Sequence, residues 1–413
     1  MKCRHCDSEL RLSLIDLGSA PTSNAYLTEQ SLREPEKWFP LRVLVCEHCW
    51  LVQTEDFAQA EELFGAEYAY FSGFSDSWLE HSKRYVNEMV ERFNLNVDSQ
   101  VVEVAANDGY LLQYVKALNI PCYGIEPTNS TANAARAKGI PIVEEFFGRH
   151  LAKDLVEKGM QVDLAVANNV LAHVPDINDF VAAFAMLLKP HGVVTFEFPH
   201  LLKLIEENQF DTIYHEHYSY LSITAVSRIF AANGLALFDV EEHPTHGGSL
   251  RVFAHRSETG GHICTHRVEE MLSREARAGI NNRDFYADFQ AKAIQLKNDF
   301  IDFLLLAKRQ GKKVVAYGAA AKGNTLMNFA GIRPDLISFV VDRNPAKLGK
   351  YMPGSRIPIM NEEKIMDYSP DFVVILPWNI KTEVIKQLAV IHNWGGKFVI
   401  AVPKLTIIGD NDK

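Results

Sequence analysis

The chain has 413 residues, 47% of them hydrophobic and 23% charged, a composition typical of a globular protein with two or three domains. The formal net charge of −10 excludes the broadly basic surface that nucleic-acid binding requires. No apolar stretch reaches the ~18–20 residues of a membrane helix, and the first residues contain no apolar signal core. We therefore expect a cytoplasmic enzyme that contacts neither nucleic acid nor membrane. The sequence leaves its oligomeric state open.

Two Cys-x-x-Cys pairs lie near the N-terminus, Cys3/Cys6 and Cys46/Cys49. Disulfides are disfavoured in a chain without an export signal, and two matched pairs indicate a tetrahedral thiolate zinc site rather than a redox motif. Four cysteines complete the coordination of the ion and leave no position for substrate, so the zinc would be structural. We expect a zinc-binding module at residues 1–66, with structure of its own between the two pairs.

Residues 57–93 are predicted to be largely helical, and short apolar runs separated by helical periods follow them. Buried strands that alternate with helices indicate a parallel sheet with right-handed crossovers. The last two strands are joined by a glycine-rich turn at 244–248, which favours a hairpin. Five parallel strands and a hairpin are typical of a Rossmann-like methyltransferase domain, which we place at residues 67–262. The strands are predicted at 100–104, 121–125, 140–143, 162–167, 192–198, 236–241 and 249–254.

The pattern changes at residues 263–310, where apolar residues recur at three- and four-residue steps and indicate an amphipathic helical connector. A second series of strands and helices predicts a smaller α/β domain at residues 311–413. The expected fold is therefore α/β, with an N-terminal zinc-binding module, a central Rossmann-like class I methyltransferase domain and a second Rossmann-like domain. The strands of the last domain are predicted at 313–318, 337–341, 372–376 and 397–402.

The first strand of the central domain ends in a tight turn that opens a helix, an arrangement that presents backbone N–H groups to a cofactor. The turn contains a single glycine, Gly109, where a dinucleotide needs G-x-G-x-x-G, whereas S-adenosylmethionine carries no phosphate and tolerates such a turn. Glu126 ends the second strand, where an acid accepts both ribose hydroxyls unless it is merely a solvated loop acid. Phe146 either flanks the adenine or belongs to the core. Cofactor contacts are expected from Glu103, Ala105, Asn107, Asp108, Gly109, Glu126, Phe146 and Asn168.

The fourth strand ends at Asn168 and Asn169, at the edge where ligands bind in open α/β sheets. Methyltransferases place active-site residues at this edge, and His173 follows shortly after it. The imidazole of His173 either serves the active site or is a capping or core histidine. We take His173 as a candidate catalytic residue.

An unbroken run of ionisable side chains follows the fifth strand, Tyr214-His215-Glu216-His217-Tyr218. Such a run is costly to bury unless it is functional. A metal site is disfavoured because H-x-H supplies two ligands and no third is evident nearby, and the interleaved aromatic residues disfavour a solvated loop. We favour a general acid/base site, because a histidine pKa of ~6.5 suits proton abstraction at neutral pH.

A similar turn opens a helix in the C-terminal domain, from Gly318 through Lys322 to Asn324. Backbone N–H groups at a helix start, together with a lysine, form a cradle for an anion. It is not a Walker A loop, because the order is Lys-Gly where that motif needs Gly-Lys. The turn predicts binding of a diphosphate, and a tight turn with an exposed lysine is the alternative.

In these motifs the chain resembles the zinc-containing, S-adenosylmethionine-dependent sugar C-methyltransferases, which modify nucleotide-linked 4-keto deoxysugars. Elements match in order over nearly the whole chain: the two C-x-x-C pairs, Tyr-Phe-Ser-Gly at 70–73, E-x-x-x-N-D-G at 103–109, Tyr-His-Glu-His at 214–217 and Gly-Ala-x-Ala-Lys-Gly-Asn-Thr at 318–325. The Ala105-Ala106 pair is a departure, because the family more often has a glycine- or serine-containing turn there.

The resemblance implies a mechanism for the acid/base site. The 4-keto group acidifies the neighbouring carbon-bound proton, at C3 or C5 of the sugar. A base removes that proton, and the enolate attacks the methyl group of S-adenosylmethionine. We assign His217 as the base, with Tyr214 as its rival, and Glu216 as the residue that orients the cluster. His173 or Tyr68 would hydrogen-bond the sugar or its enolate.

The resemblance also implies where the substrate binds. Its nucleotide diphosphate would dock on the C-terminal domain around Lys322 and Asn324, with further substrate contacts from Tyr70 and Asn169. Two other classes stay open. One is an O- or N-methyltransferase of a small molecule, which needs no carbon acid, and the other is a non-catalytic protein that binds zinc and nucleotides.

Overall fold

The computed structural model describes residues 1–55, 57 and 71–409. Tyr68 and Tyr70, both predicted site residues, lie outside these ranges. The predicted junction of the first two domains and much of the first half of the helix predicted at 57–93 also lie outside them. Among the described helices, none is both long and apolar enough to cross a lipid bilayer.

The N-terminal module contains an antiparallel sheet built around the two cysteine pairs. Strand β1 (Leu12–Ala20) pairs with β2 (Phe39–Val45), which in turn pairs with β3 (Val52–Thr54). In β2, exposed Arg42 stands between buried neighbours, the alternation expected of a strand with one buried face. The segment between the cysteine pairs therefore has structure of its own, as expected, and that structure is two paired strands.

The central domain alternates strands and helices. The largest shift of a strand start from the sequence prediction is in β8, which begins four residues early. In chain order the elements are α1 (Asp76–Phe93), β4 (Val101–Val104), α2 (Leu112–Ala117), β5 (Cys122–Ile125), α3 (Asn129–Ala137), β6 (Ile142–Val143), α4 (Arg149–Glu157), β7 (Val162–Asn168), α5 (Ile177–Leu187), β8 (Leu188–Pro199), α6 (Leu201–Glu206), β9 (Ser219–Tyr220), α7 (Ile223–Ala232), β10 (Leu235–His243) and β11 (Ser249–Arg256).

Seven of these strands form one sheet, in the order β6-β5-β4-β7-β8-β11-β10. The first five are parallel, and β11 is antiparallel to both of its neighbours. The central strand β4 is buried along its whole length, as strands are when helices cover both faces of a parallel sheet. The predicted Rossmann-like methyltransferase sheet with its terminal hairpin is confirmed. The carboxyl ends of β4, β5 and β7 meet at one edge, where ligands bind in such sheets.

Strand β9 does not join this sheet. It pairs with β3 and so extends the N-terminal sheet to four strands. Because β9 directly follows the Tyr-His-Glu-His block, the N-terminal module is hydrogen-bonded to the segment that carries the predicted base.

The connector forms two helices, α8 (His266–Ala278) and α9 (Phe289–Arg309). Helix α8 ends at Gly279, whose φ of 96° lies in the left-handed region that favours glycine. Along α9, buried side chains recur every three or four residues. They lie in one core together with the N-terminal strands and the C-terminal sheet.

The C-terminal domain is a second open sheet, in which β12 has the central position. Its elements are β12 (Val314–Tyr317), α10 (Ala321–Phe329), β13 (Val340–Val341), β14 (Ile359–Met360), α11 (Glu363–Tyr368), β15 (Phe372–Ile375), α12 (Lys381–Gln387), β16 (Lys397–Ile400) and β17 (Thr406–Ile408). The order is β14-β13-β12-β15-β16-β17, with β17 antiparallel to β16 and the other pairs parallel. The chain reverses its winding between β12 and β15, a switch point where ligands bind in open α/β sheets.

Candidate active site

The four N-terminal cysteines converge on one point. Sγ of Cys3 lies 3.6 Å from Sγ of Cys49, and Sγ of Cys6 lies 3.5 Å from Sγ of Cys46. A tetrahedral zinc ion with bonds of about 2.3 Å needs sulfur atoms about 3.8 Å apart. All four sulfur atoms lie within 4.8 Å of one another, and no other such group is found in the described part of the chain. The arrangement fits structural zinc.

Both cysteine knuckles have the same backbone turn. The N–H of Asp7 donates to the carbonyl of Cys3, and the N–H of Trp50 donates to the carbonyl of Cys46. Asp7 and Trp50 both have positive φ, 58° and 63°. Nε2 of Gln53 donates to Sγ of Cys3 at 3.2 Å, an outer contact of the kind that orients metal ligands.

A cavity of about 450 Å³ lies at the carboxyl ends of β4, β5 and β7. Its size is that of a small-molecule site. Within the described residues, no lysine or arginine lines it, which disfavours a phosphate-bearing cofactor. The predicted site residues that line the cavity are Ala105, Asn107, Glu126, Phe146, Asn168, Asn169 and His173.

The turn after β4 packs against Ser72 and Gly73. The N–H of Ser72 donates to Oδ1 of Asn107 at 2.9 Å. A Cβ on Gly73 would lie 2.3 Å from Oδ2 of Asp108, so a larger residue here would displace that carboxylate. Asp108 also pairs with Lys138, at 3.2 Å. Two motifs that are separate in the sequence therefore build one turn beside the cavity.

Glu126 ends β5 with its carboxylate buried against the same turn. Oε2 accepts the N–H of Asn107 at 2.9 Å, and Oε1 accepts the N–H of Thr128 and the hydroxyl of Thr131, both at 3.0 Å. Burial raises the pKa of Glu126 above 4.5, although these hydrogen bonds oppose the shift. The side chain is 5% exposed, so it is not a solvated loop acid. It lines the cavity, as a contact with a ribose requires.

The other predicted cofactor residues differ in position. Glu103 is fully buried in β4, does not line the cavity, and has its pKa raised well above 4.5 by burial. Gly109 has a φ of 74°, and a Cβ there would clash with Ile140. Phe146 is 56% exposed at the cavity and is therefore not a core residue. Oδ1 of Asn168 is buried without a hydrogen-bond partner among the described residues, which leaves it to a ligand. The cavity thus fits S-adenosylmethionine.

One ring nitrogen of His217 makes a hydrogen bond to the main chain. Its Nδ1 lies 2.8 Å from the carbonyl oxygen of Thr212. A carbonyl only accepts, so Nδ1 carries the proton and Nε2 carries the lone pair. Burial, and then the neighbouring His173, lower the pKa of His217 well below 6.5. His217 is therefore neutral at pH 7, with Nε2 in the basic form.

Two predicted partners flank the His217 ring. The ring centroid of Tyr214 lies 3.9 Å from that of His217, and the centroid of His173 lies 4.7 Å from it at an interplanar angle of 71°. Burial lowers the pKa of His173 to about 4, so this ring is neutral as well. Because His173 also lines the cavity, the acid/base cluster adjoins the cofactor position.

The rest of the Tyr-His-Glu-His block is anchored to the N-terminal module. Both carboxylate oxygens of Glu216 accept from Nδ2 of Asn24 at 2.8 Å. Nε2 of His215 donates to main-chain carbonyls of β2 at 3.2 Å. Oγ1 of Thr54 donates to the carbonyl oxygen of His217 at 3.0 Å. These contacts fix the backbone on which the His217 ring stands.

Lys322 lies at the switch point of the C-terminal sheet. Its Nζ donates to Oδ1 of Asn379 at 2.9 Å and lies 4.5 Å from the centre of the Trp378 ring. Burial lowers the pKa of Lys322 to about 8, although Asp211 opposes the shift. Nε1 of Trp378 donates to Oδ2 of Asp211 at 2.8 Å, and burial raises the pKa of Asp211 to about 6. Lys322 is therefore mostly charged at pH 7.

Asn324 lies deeper than Lys322. It is fully buried, and its Nδ2 donates to the carbonyl of Ser23 at 2.6 Å. Oγ1 of the next residue, Thr325, donates to the carbonyl of Ile213 at 2.7 Å. The start of α10 therefore holds both the N-terminal segment and the entry to the Tyr-His-Glu-His block.

Sequence reasoning did not assign a role to His246 or Trp378. His246, in the turn between β10 and β11, has a φ of 55° and accepts a hydrogen bond from Nδ2 of Asn169 at 3.2 Å. Its ring centroid lies 5.4 Å from that of Trp78, which lines the cavity. A side chain on Gly247 would clash with Trp378, so the turn also touches the C-terminal domain. The sequence showed a turn here, but its partners depend on how the two domains meet.

Comparison with known protein families gives three matches along the chain. The zinc binding domain of methyltransferases matches residues 3–64, a methyltransferase domain matches residues 78–240, and the C-methyltransferase C-terminal domain matches residues 244–403.

Among solved structures, magnesium protoporphyrin IX methyltransferase from Synechocystis PCC 6803 with bound SAM is 16% identical. It covers 43% of this chain and 79% of its own, with a TM-score of 0.34. An S-adenosylmethionine-dependent methyltransferase from Clostridium acetobutylicum is 11% identical, over 44% of this chain and 92% of its own, with a TM-score of 0.35.

A full-length relative is more informative. C-methyltransferase NovU from Streptomyces niveus is 31% identical over 407 residues, which is 98% of this chain and 96% of that protein. The match extends through the zinc module and both α/β domains, so the resemblance drawn from the motifs is confirmed. This protein is an S-adenosylmethionine-dependent C-methyltransferase and belongs to the zinc-containing sugar C-methyltransferase family.

Proposed function

We propose that the methyl acceptor is a nucleotide-diphosphate-linked 4-keto deoxysugar, and that His217 removes the proton from the carbon next to its ketone. The observation that carries this proposal is the hydrogen bond from Nδ1 of His217 to the carbonyl of Thr212. It leaves Nε2 as a proton acceptor in a half-buried cluster that adjoins the cofactor cavity. Transfer to the carbon next to a ketone needs such a base, because that carbon becomes a nucleophile only when its C–H bond is broken.

This geometry supports the following proton transfer. Nε2 of His217 takes the carbon-bound proton, and the electron pair of the C–H bond moves onto the keto oxygen as an enolate. S-adenosylmethionine, when bound, supplies the electrophilic methyl group that the enolate carbon accepts. We propose that His173 hydrogen-bonds the developing enolate oxygen, because its ring lies edge to face with that of His217. Tyr214 is the rival base, since its ring is the nearer neighbour.

Lys322 supports a diphosphate-bearing acceptor. It is a half-buried cation at the switch point, and its positive charge contributes, after burial and His173, to the lowered pKa of His217. A bound diphosphate would offset that charge, so the proton affinity of His217 would rise when substrate is in place. In this proposal, Asn324 secures the turn that carries Lys322, and the N-terminal contact of Glu216 fixes the block that carries His217.

Product analysis tests the proposal. The enzyme is incubated with S-adenosylmethionine and nucleotide-linked 4-keto-6-deoxysugars, and products are examined by mass spectrometry and NMR. We expect a mass gain of one methyl group, with the new methyl bonded to C3 or C5. A methyl group on oxygen or nitrogen would favour the small-molecule O- or N-methyltransferase. Absence of transfer to every 4-keto sugar tried would contradict the proposed acceptor.

A further inference from the structure

Arg4 connects the zinc site to the acid/base cluster. It lies between two predicted zinc ligands, and its side chain contacts residues outside the two cysteine knuckles. Nη1 donates to the carbonyl of Pro175 at 2.9 Å, and Nη2 donates to the carbonyl of Thr54 at 3.1 Å. The guanidinium carbon lies 5.1 Å from the centre of the Tyr218 ring. Among the described residues, this side chain therefore contacts three segments of the chain.

Two of these segments carry the histidines of the proposed site. Pro175 follows His173 by two residues, and Tyr218 directly follows His217. Thr54 belongs to β3, and its Oγ1 donates to the carbonyl of His217. Arg4 is thus bonded to the main chain of the His173 loop and to the strand that holds His217.

The zinc knuckle fixes the other end of this connection. The N–H of Arg4 donates to Oε1 of Gln53 at 2.9 Å, and the same amide group donates from Nε2 to Sγ of Cys3. Nδ2 of Asn178, in the first turn of α5, donates to the carbonyl of His5 at 2.9 Å. The knuckle is therefore attached both to its own sheet and to the helix that follows the His173 loop.

We propose that Arg4 is a positioning residue for methyl transfer, because it binds the carbonyls of Pro175 and Thr54 at once and so sets the separation of the His173 and His217 rings. This inference rests on the proposed function of the two histidines. A guanidinium presents several donors in a rigid plane, whereas a lysine ammonium acts as a point charge. Lysine at this position therefore keeps the charge but loses the two-carbonyl bridge.

The test compares Arg4→Ala and Arg4→Lys with Arg11→Ala, which removes an exposed arginine of the same module that pairs with Glu9. Zinc content, S-adenosylmethionine affinity, kcat and KM are measured on the zinc-loaded proteins. Misplacement of reacting groups by about 1 Å can cost about 100-fold in rate, so we expect both Arg4 variants to lose at least about tenfold in kcat. KM and cofactor affinity should change less than about threefold, because the Lys322 and Glu126 contacts are untouched. Arg11→Ala should behave as wild type.

NMR signals of the histidines distinguish a positioning role of Arg4 from a purely structural role. In both Arg4 variants, the imidazole signals of His173 and His217 should shift while the protein retains one zinc ion per chain. Wild-type kcat and unchanged imidazole signals in zinc-loaded Arg4→Ala would overturn the inference, and so would full recovery of kcat in Arg4→Lys. If Arg4→Ala does not retain zinc, the kcat and imidazole signals of Arg4→Lys decide whether Arg4 is a positioning residue. Inactivity of the wild type on every 4-keto sugar would instead contradict the proposed function.

Discussion

Nδ1 of His217 lies 2.8 Å from the carbonyl oxygen of Thr212, and this contact links the predicted base to both α/β domains. The residue before Thr212 is Asp211, which accepts a hydrogen bond from Trp378 of the C-terminal domain. The residue after it is Ile213, whose carbonyl accepts from Oγ1 of Thr325 in α10. The orientation of the imidazole therefore depends on the assembled protein rather than on the central domain alone.

The pH dependence of kcat/KM should reflect the shifted pKa values of the free enzyme. His217 acts as a base when it is neutral, which is above its pKa. Because burial lowers that pKa, activity should persist below pH 6.5 before it falls. Lys322 binds a diphosphate when it is charged, which is below its pKa of about 8, so kcat/KM should fall above that pH. If kcat/KM falls to half its maximum on the acid side at a pH above 6.5, the assignment of His217 as the base is contradicted.

Replacement of Lys322 should weaken nucleotide binding. Hydrogen bonds to charged groups contribute about 1.5–3 kcal/mol, so Lys322→Met should raise the Kd for a nucleoside diphosphate about 10- to 100-fold. Isothermal titration calorimetry measures this value. Lys312→Met, at an exposed lysine that pairs with Asp371, is the matched control and should bind as wild type. If the two variants bind the nucleoside diphosphate with equal affinity, Lys322 is not part of the binding site.

The turn after β4 predicts opposite effects for two substitutions. Gly109 has positive φ and no room for a Cβ, so Gly109→Ala should lower the free energy of unfolding by about 2–4 kcal/mol and abolish cofactor binding. Ala105 also has positive φ, 58°, which costs an alanine more than a glycine. Ala105→Gly should therefore leave cofactor binding intact and raise stability by about 0.5–1 kcal/mol. Denaturant unfolding measures both, and a stable Gly109→Ala variant that binds cofactor would refute this account of the turn.

Zinc removal should act on the N-terminal module first. Structural zinc supplies folding free energy directly, so Cys46→Ser or chelation should lower the Tm by about 5 °C or more. The cofactor cavity is lined by residues outside the zinc knuckles, so S-adenosylmethionine affinity should fall much less than turnover. Differential scanning calorimetry and cofactor titration separate the two effects. Full turnover in a zinc-free protein would contradict a structural role for the metal.

Much of the fold could be predicted because its signals are local. The paired cysteines indicated the zinc cluster, and short apolar runs separated by helical segments located the long strands of both α/β sheets. Strand β9 was missed because two residues give no periodic pattern and its pairing with β3 depends on the folded chain. The boundaries of the predicted domains remain predictions.

The candidate site was harder to predict than the fold. Glu126 directly follows β5, and its place in the sequence indicated the edge of the sheet where the cavity lies. His217 lies between α6 and β9, and its position depends on contacts with Thr212 and Thr54. Asn324 was expected to contact a diphosphate, but the structure shows it bound to the carbonyl of Ser23, because the N-terminal segment lies against α10. His246 was treated only as part of a turn, since its neighbours Asn169 and Trp78 come from other parts of the chain.

The most direct test is deuterium exchange into a 4-keto nucleotide sugar in D₂O, with S-adenosylhomocysteine in place of the methyl donor. We expect wild-type enzyme to exchange the proton next to the ketone, and His217→Asn to lose this exchange while it binds cofactor normally. His150→Asn, at an exposed histidine of α4 away from the cavity, is the control and should keep the exchange. Exchange at the wild-type rate in His217→Asn would show that another residue is the base.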